Sequence, residues 1–201
     1  GWIGRNTCLI NQAQGSWFFL GEILMSVGSE AFDWADAPPA DRCGTCRRCI
    51  DICPTDALVP RGDRFELDAR LCISYHTIEA KEPAPVELRE HFGAHVFGCD
   101  LCQDVCPWNR RAPVTRDEAF EPVNASPSLE SLAAMDAEEF RARFRRTPLW
   151  RTKHRGLLRN VAIAMGNSGE AKMRPALTRL AEHEDEHVRA VARWALERLE
   201  G

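Results

Sequence analysis

Nine cysteines stand in this 201-residue chain, and eight of them fall into two sets whose spacing suits iron–sulfur ligation. The first set is Cys43-x-x-Cys46-x-x-Cys49-x-x-x-Cys53-Pro54. The second is Cys72, a gap, and then Cys99-x-x-Cys102-x-x-x-Cys106-Pro107. A [4Fe–4S] cube needs four soft thiolates around it. A tight run supplies three of them with little chain to order, and in bacterial two-cluster ferredoxins the fourth cysteine of a run ligates the other cube. Proline after the last cysteine fixes φ and removes a donor, which turns the backbone away from the cluster.

By that crossover rule, Cys43, Cys46, Cys49 and Cys106 hold one cluster, while Cys53, Cys99 and Cys102 belong to the other. The second cluster is then one ligand short, because Val96 stands where a full second copy of the motif would carry cysteine. Cys72 is the available replacement. Cys8 is left over and, beside Leu9 and Ile10, reads as a buried small hydrophobe. Structural zinc is the competing use of Cys-x-x-Cys pairs, but it usually draws two cysteines from each of two knuckles. A disulfide framework fits less well, given an odd count and such closely spaced runs.

Three stretches of chain must position these ligands. Residues 1–35 read as the end of a larger domain, with strand-like apolar runs at 17–20 and 23–25 that need partners. Residues 36–113 form the cluster module, with a linker-like lead-in at Asp36-Ala37-Pro38-Pro39. Within it, alternation predicts a short strand over 64–68, and a short helix is expected over 86–92. Ligation rather than core burial should order much of this module. From 126 to 201 the pattern is helical. Asp136 with Glu139 predicts a capping box opening a helix over 136–146. Leu158-Arg159-Asn160-Val161-Ala162 returns 30 residues later as Val188-Arg189-Ala190-Val191-Ala192. Asp185 is the expected cap of the second copy, and Gly166 and Gly169 punctuate the first. Stacked helices of this kind resemble HEAT-type repeats, here a short terminal array.

Composition, 44% hydrophobic and 28% charged, suits a soluble globular protein. No apolar run approaches the roughly 18–20 residues that span a bilayer, so no membrane partner is expected. The first residues, Gly-Trp-Ile-Gly, open in mid-pattern and are expected to belong to a longer chain. Cysteines kept free for metal point to a reducing, cytoplasmic compartment. The net charge of −4 is unevenly spread. Residues 140–169 carry eight cations and no Asp or Glu, leaving −12 for the remainder. Arg151, Lys153, Arg155 and Arg159 lie in that strip. Either it meets a phosphate backbone, with steep salt dependence, or its arginines pair with the acidic cluster module. Trp150 could stack on a base, but packing against the helices is the simpler expectation.

Several strings occur here in one order: Gly1-Trp2-Ile3-Gly4-Arg5-Asn6, Gly15-Ser16-Trp17-Phe18-Phe19-Leu20-Gly21-Glu22, the cysteine sets, and Cys72-Ile73-Ser74-Tyr75. They continue with Phe97-Gly98-Cys99-Asp100-Leu101-Cys102-Gln103-Asp104-Val105-Cys106-Pro107-Trp108-Asn109 and Leu157-Leu158-Arg159-Asn160. Together they closely resemble the epoxyqueuosine reductases, from one end of the chain to the other, and Cys72 as the replacement ligand is also that family's arrangement. The resemblance implies reduction of the epoxide of epoxyqueuosine, at the wobble position of certain transfer RNAs, to the alkene of queuosine. It implies two [4Fe–4S] clusters and cobalamin, a helical tail that helps hold the tRNA anticodon arm, an electron donor such as a flavodoxin or ferredoxin, and a monomer.

The implied fold class is α+β. A ferredoxin-like two-cluster module lies between the tail of an α/β cobalamin-binding domain (1–35) and a HEAT-like helical domain (126–201). By position in matching motifs, Ser74, Arg5, Asn6, Ser16, Trp17 and Asp100 are the expected corrin contacts, Ser74 foremost because it lies two residues from a cluster ligand. Asn160 joins Arg151, Lys153, Arg155 and Arg159 as an expected tRNA contact. His76 is expected to be packed or solvated rather than bound to cobalt. The family's acidic proton donor lies upstream of Gly1, so no catalytic residue is assigned and this stretch alone is expected to be inactive. Two other readings share the cysteine sets: a two-cluster electron-transfer module with a helical docking domain, and a corrinoid reductive dehalogenase. A plain ferredoxin would not need residues 1–35, and a small organohalide has no phosphates for the arginine strip to meet.

Overall fold

The computed structural model describes residues 1–28, 30, 40–122 and 126–200; the lead-in at 36–39 lies outside them. In chain order the elements are strands β1 (Trp2–Ile3) and β2 (Leu9–Ile10), helix α1 (Arg48–Asp51), and strands β3 (Leu58–Arg61) and β4 (Arg64–Leu67). Helices follow: α2 (Val86–Arg89), α3 (Leu101–Asp104), α4 (Leu129–Ala134), α5 (Ala137–Phe144), α6 (Lys153–Ser168), α7 (Arg174–Leu180) and α8 (Glu186–Arg198). This is a mainly helical chain with two small hairpins. Its contacts group it into two compact units. One comprises Gly1–Leu67 with Asp100–Asp117, the other Asp68–Cys99 with Glu118–Gly201.

In the first unit, β1 and β2 pair antiparallel with Trp2 opposite Ile10. The turn between them is set by Gly4 N–H to the Cys8 carbonyl at 2.9 Å, with Thr7 held at φ 62°. Strands β3 and β4 pair from Leu58↔Leu67 to Arg61↔Arg64, which places β4 where alternation predicted a strand. Gly62, at φ 61°, supplies the left-handed residue that this two-residue turn requires. Each four-residue helix, α1 and α3, follows the start of a cysteine run. The core of this unit is thin: Trp2, Ile10 and Cys106, with Trp108 packed edge-on to Trp2 at 4.9 Å between ring centroids. So small a core leaves much of the ordering of the cysteine loops to ligation.

The apolar runs at 17–20 and 23–25, expected to need partners that this chain does not supply, form no strand here, and Phe19 and Leu24 are each 97% exposed. Among the described residues no strand pairs with them. An apolar run without a partner strand has no ladder to complete and no face to bury.

The second unit has the larger core. Helix α6 is buried through every residue from Gly156 to Gly166, as expected of a helix apolar around most of its circumference. It packs against α8 so closely that a Cβ on Gly166 would lie 2.8 Å from that of Ala195. Phe92, Phe140 and Phe144 are fully buried, each contributing roughly 1.5–3 kcal/mol by leaving water. The predicted capping box is present: Asp136 accepts from the Glu138 and Glu139 amides, and Glu139 reaches back to the Asp136 amide at 3.0 Å. Asp185 caps α8 through the amides of His187 and Val188. Gly169 ends α6 in the left-handed conformation at φ 67°. The helix expected at 86–92 forms as α2 followed by a 3-10 turn, and Phe92 carries it into the helical core. No helix among the described residues is long and apolar enough to cross a membrane.

Candidate metal centre

Within the first unit, Cys43, Cys46, Cys49 and Cys106 line one cavity of about 270 Å³, with Arg5, Asn6, Ile10, Arg42, Arg48, Pro107 and Trp108 completing its wall. Local structure explains the convergence. Cys46 N–H bonds the Cys43 carbonyl at 3.0 Å, closing the first loop, and Cys49 then enters α1. On the other run, Pro107 begins a 3-10 turn directly after Cys106, and Pro107 and Trp108 continue along the cavity wall.

Crowding of sulfurs raises the cost of ionising them. Burial, then the neighbouring Cys102 and Cys43, pushes the Cys49 thiol up to about 11. Burial also raises Cys106. Cys102 is raised first by a hydrogen bond it shares with Cys8 and then by burial. Such thiols give up their protons when a metal centre replaces them. The four thiols line one cavity, and an all-sulfur donor set suits an iron–sulfur cluster. The indole N–H of Trp2 is buried without an acceptor among the described residues.

The other set is divided. Cys53 and Cys102 lie in the first unit, Cys72 and Cys99 in the second. Cys53 Sγ accepts the Ala57 N–H at 3.3 Å. In the second unit, Ser74 Oγ accepts the Cys99 N–H at 2.9 Å and donates to the Cys99 carbonyl at 3.2 Å, so Ser74 fixes the backbone of one expected ligand. His76, on the π-helical turn Tyr75–Glu79, donates Nε2–H to the Arg70 carbonyl at 2.7 Å and packs on Phe92.

Most of the other expected corrin contacts are committed within the first unit. Arg5 donates to the carbonyls of Gly44 and Cys46 at 2.7 and 3.1 Å. Asn6 is buried, donating to the Cys102 carbonyl at 3.3 Å and accepting the Cys8 N–H at 3.2 Å. Ser16 is buried in a knot with Asn109 and Gln103: its N–H meets Asn109 Oδ1 at 2.7 Å and its hydroxyl meets Gln103 Oε1 at 2.9 Å. Asp100 is exposed and accepts from Gln103 Nε2 at 2.9 Å; Trp17 is exposed. The structure thus gives Arg5, Asn6 and Ser16 the work of holding the cysteine loops. Cys8, expected among apolar side chains, is partly buried and donates its thiol to the Asn6 carbonyl at 3.7 Å.

In the second unit the basic strip is split. Arg159 is only 3% exposed, and its guanidinium bonds the carbonyls of Ala80, at 3.0 Å, and Lys81. Asn160, 4% exposed, donates to the carbonyls of Thr77 and Val96, both at 2.8 Å. Both side chains act as internal braces, buried because α6 is enclosed on all sides. Their position inside the apolar run Leu157–Ala162 was the available signal. Arg151 pairs with Glu79 and Arg155 with Asp185, yet both remain more than half exposed. Lys153 is held at φ 60°, rarely adopted by a residue with a side chain, and its ammonium lies 4.6 Å from the centre of the Trp150 ring. Trp150 stacks on Phe140 at 5.6 Å.

A family model for a 4Fe-4S double cluster binding domain matches residues 42–109. An epoxyqueuosine reductase of Xanthomonas campestris is 42% identical over 98% of this chain and 54% of its own length. That of Escherichia coli is 38% identical over 98% of this chain and 50% of its own. Among solved structures, an epoxyqueuosine reductase from Bacillus subtilis aligns with a TM-score of 0.86 at 32% identity, over 99% of this chain and 52% of that one. An epoxyqueuosine reductase crystallised with an epoxyqueuosine-modified tRNA stem loop aligns at 0.81 and 29% identity, over 100% and 52%. The chain spans about half the length of the curated relatives it matches.

Proposed function

We propose that this chain is part of an epoxyqueuosine reductase, an oxidoreductase that converts epoxyqueuosine to queuosine at the tRNA wobble position. The observation that carries the reading is the gathering of four cysteines around one cavity, in a chain that aligns end to end with epoxyqueuosine reductases. Cys43, Cys46, Cys49 and Cys106 would hold one [4Fe–4S] cluster and Cys53, Cys72, Cys99 and Cys102 the other; bound there, they would supply one-electron relay from a flavodoxin or ferredoxin. Spacing and the double-cluster family match support the second set.

Cobalamin would supply the strongly reducing centre that opening a C–O bond demands. The side chains of this chain do not by themselves make a corrin cradle, since Arg5, Asn6 and Ser16 are occupied with the cysteine loops. What these residues do is hold loops, with Ser74 fixing the Cys99 backbone. Functionally, residues 1–35 would close the cobalamin-binding domain, 36–113 carry both clusters, and 126–201 form a HEAT-like domain. That last domain presents Arg151, Lys153 and Arg155 to the phosphates of the anticodon arm. A cytoplasmic monomer suits this role.

The test uses the native gene. In a strain whose only copy carries Cys49→Ser, tRNA digests analysed by mass spectrometry should contain epoxyqueuosine in place of queuosine. Queuosine at its ordinary level in that strain would overturn the reading.

A further inference from the structure

Arg5 stands at the tip of the β1–β2 hairpin, 39 residues before the loop it touches. The tip is stiff: Gly4 N–H bonds the Cys8 carbonyl and Thr7 N–H bonds the Gly4 carbonyl, each at 2.9 Å. From it the guanidinium reaches the Gly44 carbonyl at 2.7 Å and the Cys46 carbonyl at 3.1 Å. Gly44 is at φ 54°, a conformation that glycine adopts without strain. The guanidinium also lies 5.8 Å from the centre of the Phe65 ring, which limits its movement. Among the described residues Arg5 forms no ion pair with a carboxylate, and it lines the cavity of the four cysteines.

We propose that Arg5 is a positioning residue for the cluster at Cys43, Cys46, Cys49 and Cys106, clipping the first cysteine loop closed and holding a cation against the cluster. The proposal rests on the reading that these four cysteines hold a [4Fe–4S] cube. A cube with four thiolates is a net anion whose negative charge grows on reduction, and nearby charge helps set its potential. A fixed cation at the wall favours the reduced form and raises the potential. Lysine could keep the charge but not the two-carbonyl fork.

The experiment is an EPR-monitored redox titration of anaerobically prepared protein, with iron release to a chelator followed in parallel. It compares wild type, Arg5→Gln and Arg5→Lys. Arg5→Gln should lower one of the two cluster potentials, leave the other in place, and release iron several-fold faster. Arg5→Lys should keep the potential near wild type but release iron faster, which separates the charge from the clip. Wild-type potentials and release rates in both variants would overturn the proposal while leaving the cluster reading intact. A wild-type protein without any cubane signal would instead remove the reading beneath it.

Discussion

Arg159 shows how far a residue's type can mislead about its task. Among eight like charges it looks like a phosphate ligand, but a helix buried from Gly156 to Gly166 leaves it no route to solvent. Its planar donors instead satisfy the carbonyls of Ala80 and Lys81, which end the π-helical turn. Asn160 does the same for Thr77 and Val96. Replacing Arg159 with Ala strands buried carbonyls and should cost about 1–3 kcal/mol in urea unfolding. Arg155→Ala, at an exposed position, should stay within about 0.5 kcal/mol of wild type. Equal effects at both positions would contradict the division of the strip into braces and surface. The convergence of Cys43, Cys46, Cys49 and Cys106 on one cavity was legible, because it follows the spacing of the two runs. The burial of Arg159 was not, since it depends on which faces of α6 the rest of the unit covers.

Elements bounded by local signals were legible, and those bounded by distant partners were not. The caps at Asp136 and Asp185, the stop at Gly169 and the strand at 64–67 each follow from a few neighbouring residues. The apolar runs near Phe19 and Leu24 carry a burial signal whose partners were not expected within this chain, and among the described residues no strand pairs with them. Two-residue strands such as β1 and β2 are too short to show any period. Asp185 allows a sharp test. Burial alone would raise its carboxyl, but the amides of Val188 and His187, with His187 and Arg155 nearby, hold it below its ordinary 3.8. The contribution of the charged cap is then complete above pH 3.8 and is lost as pH falls through the lowered folded value. Asp185→Ala should cost about 1 kcal/mol near neutral pH. Asp185→Asn should cost much less and flatten the acid limb of the unfolding profile. A profile unchanged in Asp185→Asn would show that the carboxylate is not what the cap uses.

At the scale of the whole chain, residues 100–117 return to the first unit and 68–99 belong to the second, so each unit is assembled from two separate segments. A linear reading of composition cannot see such an exchange. The thin core of the first unit makes its loops depend on what the cysteines bind. Mössbauer spectroscopy and iron analysis of anaerobically isolated protein therefore test the account most directly. Wild type should show cubane signatures with about eight irons per chain, and Cys106→Ser about four. Colourless protein carrying stoichiometric zinc, or iron without a cubane spectrum, would contradict it.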